Sequence, residues 1–134
     1  GRGHVAFHEA GIPFAGSSVM LVKLDDNTIG NAVQDGHFPS VADSPHYAIS
    51  MGAELVYRAG TVLLLASGER KVESVTGSLL GPVTPEIPIS YGQKYAAGGG
   101  NLIYVVDAVA GRDLLARRKE LIKKGTKLKD LTRP

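Results

Sequence analysis

The 134 residues are 43% hydrophobic, carry a net charge of +2 and contain no cysteine, which suits one α/β domain over 1–134 and excludes disulfides, thiolate nucleophiles and thiolate metal sites. No apolar run approaches the roughly 20 residues that cross a bilayer, and no basic-then-apolar leader opens the chain, so the expectation is a cytoplasmic protein with no membrane partner. Residues 112–134 hold nine of the fifteen Lys/Arg and three of the thirteen Asp/Glu, but no aromatic residue to stack a base, so this tail reads as a solvated helix face and nucleic acid is not an expected partner.

The chain opens on Gly1, inside a polar stretch with Gly3, rather than on methionine, and the expectation is an excised or trimmed piece with something missing on its N-terminal side. Four short apolar runs follow, Val19–Leu24, Tyr47–Met51, Thr61–Ser67 and Leu102–Asp107. They are rich in Val, Leu and Ile, as strands covered on both faces are, and predict a buried parallel sheet. Helical patterns lie at Ala53–Ala59, Glu69–Leu80 and Arg112–Lys124, followed by Gly60, Gly81 and Gly125 where left-handed caps would sit. In the last of them Leu114, Leu115, Leu121 and Ile122 form one apolar stripe. Pro82, Pro85 and Pro88 make Gly81–Ser90 an extended crossing, and Gly98-Gly99-Gly100 turns the chain into the last strand.

Sheets of this kind bind ligands at the carboxyl ends of their strands. Three places qualify: Gly1–Glu9, the Ser67–Lys71 turn and the loop after Asp107. The first holds His4, His8 and Glu9 within six residues. A histidine exchanges protons near neutrality, and a carboxylate beside it would fix its tautomer. The same residues read equally as a loop with merely exposed or hydrogen-bonded histidines, and for His8 that reading suffices. A metal site on His4, His8 and Glu9 is disfavoured, because Gly1 and Gly3 argue against the helix that would put both imidazoles on one face. The second place, Ala66-Ser67-Gly68-Glu69-Arg70-Lys71, runs from a strand through a glycine turn into a helix. Its free amides and the first-turn Lys71 would welcome an anion such as phosphate, although it is not the nucleotide P-loop.

The run Gly3-His4-Val5-Ala6-Phe7-His8-Glu9 resembles the Gly-His-Ile-Ala-Phe-Asn-Glu-Pro signature of the glucosamine-6-phosphate deaminase/isomerase family. Ser67-Gly68-Glu69-Arg70-Lys71 resembles its strand-Gly-x-x-Lys turn, and Tyr47-Ala48-Ile49-Ser50-Met51-Gly52 its Tyr-Ala-Leu-Thr-x-Gly. The similarity runs from residue 1 to about residue 110 and corresponds to the C-terminal part of a family member. It implies a three-layer α/β/α sandwich with a mostly parallel sheet. It also implies a cofactor-independent conversion of the phosphorylated amino sugar glucosamine 6-phosphate and water into fructose 6-phosphate and ammonia, an activity expected among hydrolases and isomerases of aminosugar metabolism. By the same resemblance His4 opens the sugar ring, Glu9 tunes it, Lys71 binds the phosphate, and Gly3 and Gly68 let the backbone approach the substrate. Arg2 stands where the family has Asp or Asn and so belongs to the catalytic set as a departure. Val33 falls in the register of the expected phosphate-binding arginine, Ala10 replaces the proline after the glutamate, and Ser17-Ser18-Val19 replaces the paired arginines of the allosteric forms. The family's N-terminal half supplies a glycine-rich phosphate loop and a proton-moving aspartate, so this chain alone is expected to be inactive and to depend on that half or on an oligomer. A non-catalytic phosphosugar-binding or regulatory module of the same fold is the alternative, and lactone hydrolysis a third.

Overall fold

The computed structural model describes residues 3–131. Strand β1 (Val19–Lys23) leads into helix α1 (Asp26–Gln34), strand β2 (Tyr47–Met51), helix α2 (Ala53–Val56) and strand β3 (Thr61–Ala66). A 3-10 turn at Glu69–Lys71 continues into helix α3 (Val72–Leu80), and a second one at Pro88–Tyr91 into helix α4 (Gly92–Ala97). Strand β4 (Asn101–Val106) and helices α5 (Arg112–Ala116) and α6 (Arg118–Lys123) complete the α/β architecture.

Strands β3 and β4 pair in parallel, Thr61 opposite Asn101 through Ala66 opposite Val106. Successive side chains alternate between faces. Val62, Leu102, Ala66, Tyr104 and Val106 therefore pack inward, while Leu63, Leu65, Ile103 and Val105 are exposed on the opposite face. The inward face meets two clusters. Ala53, Tyr57 and Tyr91 pack at the Val62 and Leu102 end. Val75, Leu114 and Leu121 pack against Ala66, Tyr104 and Val106.

Strands β1 and β2 do not join a parallel sheet. They pair with each other antiparallel, Leu21 opposite Ile49. Val22 and Ser50 are buried, whereas Val19, Leu21, Ile49 and Met51 lie exposed, Ile49 at 79%. A continuous apolar run carries no signal of strand direction, and it reads the same whether one face or both are covered. Helix α1, which the apolar pattern does not announce, is started by Asp25, whose carboxylate accepts the Thr28 N–H at 2.7 Å, and is docked through buried Ile29.

The helix ends depart from expectation in an instructive way. Gly125 has φ +85° and terminates α6 as a left-handed residue. Gly81, at φ −83°, does not. The carbonyls at the end of α3 are instead satisfied from other elements: Gln93 donates to Ser78 and Gly81, and Lys124 to Leu79 and Leu80. The helix expected over Arg112–Lys124 breaks at Arg117. Leu114 and Leu121 still face the core, but Ile122 turns outward at 54% exposure.

Leu121, at 1% exposure, is therefore the anchor of the C-terminal helices. Leu121→Ala is expected to lower the free energy of unfolding by about 2–5 kcal/mol through lost burial and a cavity, and Ile122→Ala by less than about 1 kcal/mol, as measured by chemical denaturation.

Candidate functional site

The N-terminal loop is built on backbone contacts that only certain residues permit. Gly3 adopts φ +76° and accepts the Ile89 N–H through its carbonyl at 2.9 Å. A Cβ at Gly3 would come within 2.9 Å of the Ile89 side chain, so glycine is needed for this approach. Ile89 is held in turn by Tyr57, whose hydroxyl donates to the Ile89 carbonyl at 3.2 Å. Burial pushes the Tyr57 phenol well above its ordinary value, which favours the protonated form that donates here.

His4 is half-buried, and its Nδ1 lies 2.7 Å from the Ala6 carbonyl. A carbonyl only accepts, so Nδ1 donates in this contact, and in the neutral ring Nε2 is the acceptor. His4 lines a cavity of about 90 Å³ together with Gly3, Ala66, Lys71, Ser74 and Ile89. The two residues singled out at opposite ends of the resemblance, His4 and Lys71, thus face one space at the carboxyl end of β3. Ligand pockets for small molecules run to about 300–1,000 Å³, so a cavity of this size encloses at most part of a small-molecule ligand. A larger open groove of about 550 Å³ between α3 and α5 is lined by Glu69, Glu73, Asp113 and Arg112. It contains neither His4 nor Lys71, and its carboxylates disfavour a phosphate.

Other expected members fall elsewhere. Glu9 is buried, but the partner of its carboxylate is the Asp25 N–H, at 3.5 Å, and the His4 ring bonds to Ala6 instead. His8 is fully buried: Nε2 donates to the Ile12 carbonyl at 3.0 Å, and Nδ1 accepts the Ala53 N–H at 3.0 Å. With both ring nitrogens committed, His8 is a structural bridge between the loop and α2. Among the described residues His4, His8 and Glu9 do not gather as metal donors. Arg2 lies outside the described residues.

The Gly68 turn also departs from expectation. Gly68 adopts φ +83°, the left-handed conformation that glycine tolerates. Its N–H is not free for an incoming anion: it donates to the Asp107 carboxylate at 3.0 and 3.2 Å. Asp107 accepts the Ala110 N–H as well, at 2.7 Å, and so clamps the loops that leave β3 and β4. Ion pairing of Arg112 with Glu69 at 2.7 Å adds a solvent-exposed tie between the same two loops. A carboxylate of the protein therefore occupies the place proposed for a phosphate oxygen at Gly68, and the cationic contribution of the turn rests on Lys71. Sequence spacing does not announce Asp107 as the clamp, because it lies 39 residues from Gly68 and the parallel register alone brings them together.

The contrast between the two histidines is measurable. His8→Ala leaves a cavity and orphans a buried amide and carbonyl, and is expected to cost about 2–5 kcal/mol of stability. His4→Ala is expected to cost less than about 1 kcal/mol in the same denaturation experiment.

Comparison with known proteins agrees with the family that the resemblance names. No family model matches the chain. It is 40% identical over 94 residues to the glucosamine-6-phosphate deaminase of Streptococcus pneumoniae serotype 4 (strain ATCC BAA-334 / TIGR4), covering 70% of this chain and 39% of that enzyme. The same figures hold for the enzyme of Streptococcus pneumoniae (strain Hungary19A-6). Among solved structures it superposes with TM-score 0.72 and 29% identity on a monomeric glucosamine-6-phosphate deaminase described as a missing link of the NagB superfamily, over 84% of this chain and 44% of that one. The hydrolase class expected alongside the resemblance is corrected by these relatives, which are deaminases of isomerase or lyase type. Among the described residues no helix is long and apolar enough to cross a membrane. The chain spans about two fifths of the length of the curated relatives it matches, and it is a relative of the glucosamine-6-phosphate deaminases with an α/β fold shared with the NagB superfamily.

Proposed function

We propose that this chain carries the ring-opening histidine and the phosphate-contacting lysine of a cytoplasmic, cofactor-independent isomerase/deaminase acting on glucosamine 6-phosphate or a related phosphorylated amino sugar. The observation that carries this reading is the shared cavity: His4, its Nδ1 turned to the Ala6 carbonyl, and Lys71 line the same space. Nε2 takes the proton of the anomeric hydroxyl as the ring C–O bond breaks and the C=O bond forms, and the same proton then passes to the ring oxygen. The sugar leaves this step in open-chain form with no net change in protons. One positioned base is enough for it. Lys71 supplies a charge for the phosphate at the other end of the substrate.

Completion of the site requires further polypeptide, from the rest of a longer chain or from a second copy. The small size of the cavity and the exposed apolar faces of β1/β2 and β3/β4 support this. A second reading, a phosphosugar-binding module without turnover, is favoured by the Asp107 carboxylate on the Gly68 amide and by Val33 in the register expected for arginine.

Ammonia release and ketose formation from glucosamine 6-phosphate, measured on the completed protein with this further polypeptide present, separate the two. Turnover is expected to fall by about 10²- to 10⁴-fold in His4→Ala, the range for loss of a general base. Lys71→Ala is expected to raise KM more than it lowers kcat. Binding of the phosphosugar with no turnover in the parent protein supports the module, and turnover indifferent to His4→Ala contradicts the enzyme.

A further inference from the structure

Ala6 is the one non-glycine residue with positive φ among the described residues, at +49°. Such a conformation persists in an L-residue only where its surroundings over-determine it, and it collects at functional sites. Here the surroundings do. Val5 and His8 close the turn through the His8 N–H to the Val5 carbonyl at 2.8 Å. Phe7 donates its N–H to the Ser50 hydroxyl on β2 at 3.0 Å, and that hydroxyl donates to the Met51 carbonyl at 3.0 Å. His8 is locked by its two ring bonds to Ile12 and Ala53. Phe7 and His8 are thus committed, and the carbonyl left at the tip, that of Ala6, lies 2.7 Å from His4 Nδ1.

We infer that the left-handed turn at Ala6 is a positioning device that fixes His4 as the Nδ1-protonated tautomer and leaves Nε2 as the proton acceptor, with Ser50 and the buried His8 holding the turn in place. The inference rests on the reading of His4 as the ring-opening base. It assigns to a backbone carbonyl the task expected of Glu9, whose carboxylate is turned to Asp25. A carbonyl aimed at Nδ1–H is acceptor-only, so it keeps its sense when Nε2 gains a proton, and the imidazolium that forms retains this bond. Ser50 and His8 are not among the residues that line the cavity, and their hydrogen bonds run to Phe7, Met51, Ile12 and Ala53 rather than to His4. They are positioning residues.

Long-range ¹H–¹⁵N correlation spectra of the full chain with ¹⁵N-labelled histidine, recorded at about pH 8, well above the ordinary histidine value of about 6.5, read the tautomers directly. His4 is expected to carry its proton on Nδ1, the reverse of what histidine prefers in water, and His8 on Nε2. Glu9→Gln is expected to leave His4 unchanged, whereas Ser50→Ala shifts His4 toward the Nε2-protonated form and leaves His8 as it was. An Nε2-protonated His4 in the parent protein overturns the inference, as does a His4 tautomer that follows Glu9→Gln and ignores Ser50→Ala. Where Ser50→Ala does not fold, the parent protein and Glu9→Gln decide alone. An Nδ1-protonated His4 in a completed protein without turnover leaves the inference standing and removes the enzymatic reading, so the two fail separately.

Discussion

The parallel pairing of β3 with β4 is the constraint on which the rest of the molecule depends. Because Ala66 lies opposite Val106, both strands deliver their chains to the same edge. There the exit of β3 becomes the Gly68 turn and Lys71, and the exit of β4 becomes Asp107 and the start of α5. A carboxylate at that edge meets two backbone amides from different loops, and the lysine that follows is carried at the start of a helix anchored by Val75 in the core. Shifting the register by one residue would turn the apolar set of one strand away from the core face and part Asp107 from Gly68.

The second half of the site is attached to this edge by backbone bonds. Gly3 is joined to Ile89, Ile89 to Tyr57, and Tyr57 to the core cluster at the other end of β3. His8 and Ser50 carry the loop onto α2 and β2. His4 is thereby presented by a segment whose conformation is set almost entirely by hydrogen bonds to main chain, which costs little side-chain entropy and tolerates little change in backbone. The strain at Ala6 persists because hydrogen bonds of Val5, Phe7 and the buried His8 hold the turn around it. The far side of β3/β4 is an apolar sheet face, with Leu65 and Val105 exposed.

Much of this was legible in the residues. The apolar runs mark all four strands, Gly125 marks a helix end, and the resemblance picks out His4 and Lys71, which the structure brings to one cavity. Strand direction was not legible, because Val19–Lys23 and Tyr47–Met51 are as apolar as the parallel strands while using only every second residue for the core. Helix α1 escaped the pattern since Ile29 is its one buried residue, although the cap at Asp25 was a local signal for it. The partners of Glu9 and Gly68 are tertiary: proximity of Glu9 to His4 in sequence suggested a bond that the fold assigns to Ala6, and the turn that looked open to an anion is filled from β4. Hydrogen bonds between elements are set by register and packing, which short-range spacing does not encode.

The central claim is that one phosphosugar touches both His4 and Lys71. Titration of the protein with glucosamine 6-phosphate, followed by the NMR signals of the His4 ring and the Lys71 ammonium, tests it most directly. The account predicts that both signals move and saturate together with a single dissociation constant. Movement of one without the other, or saturation at separate concentrations, would contradict it.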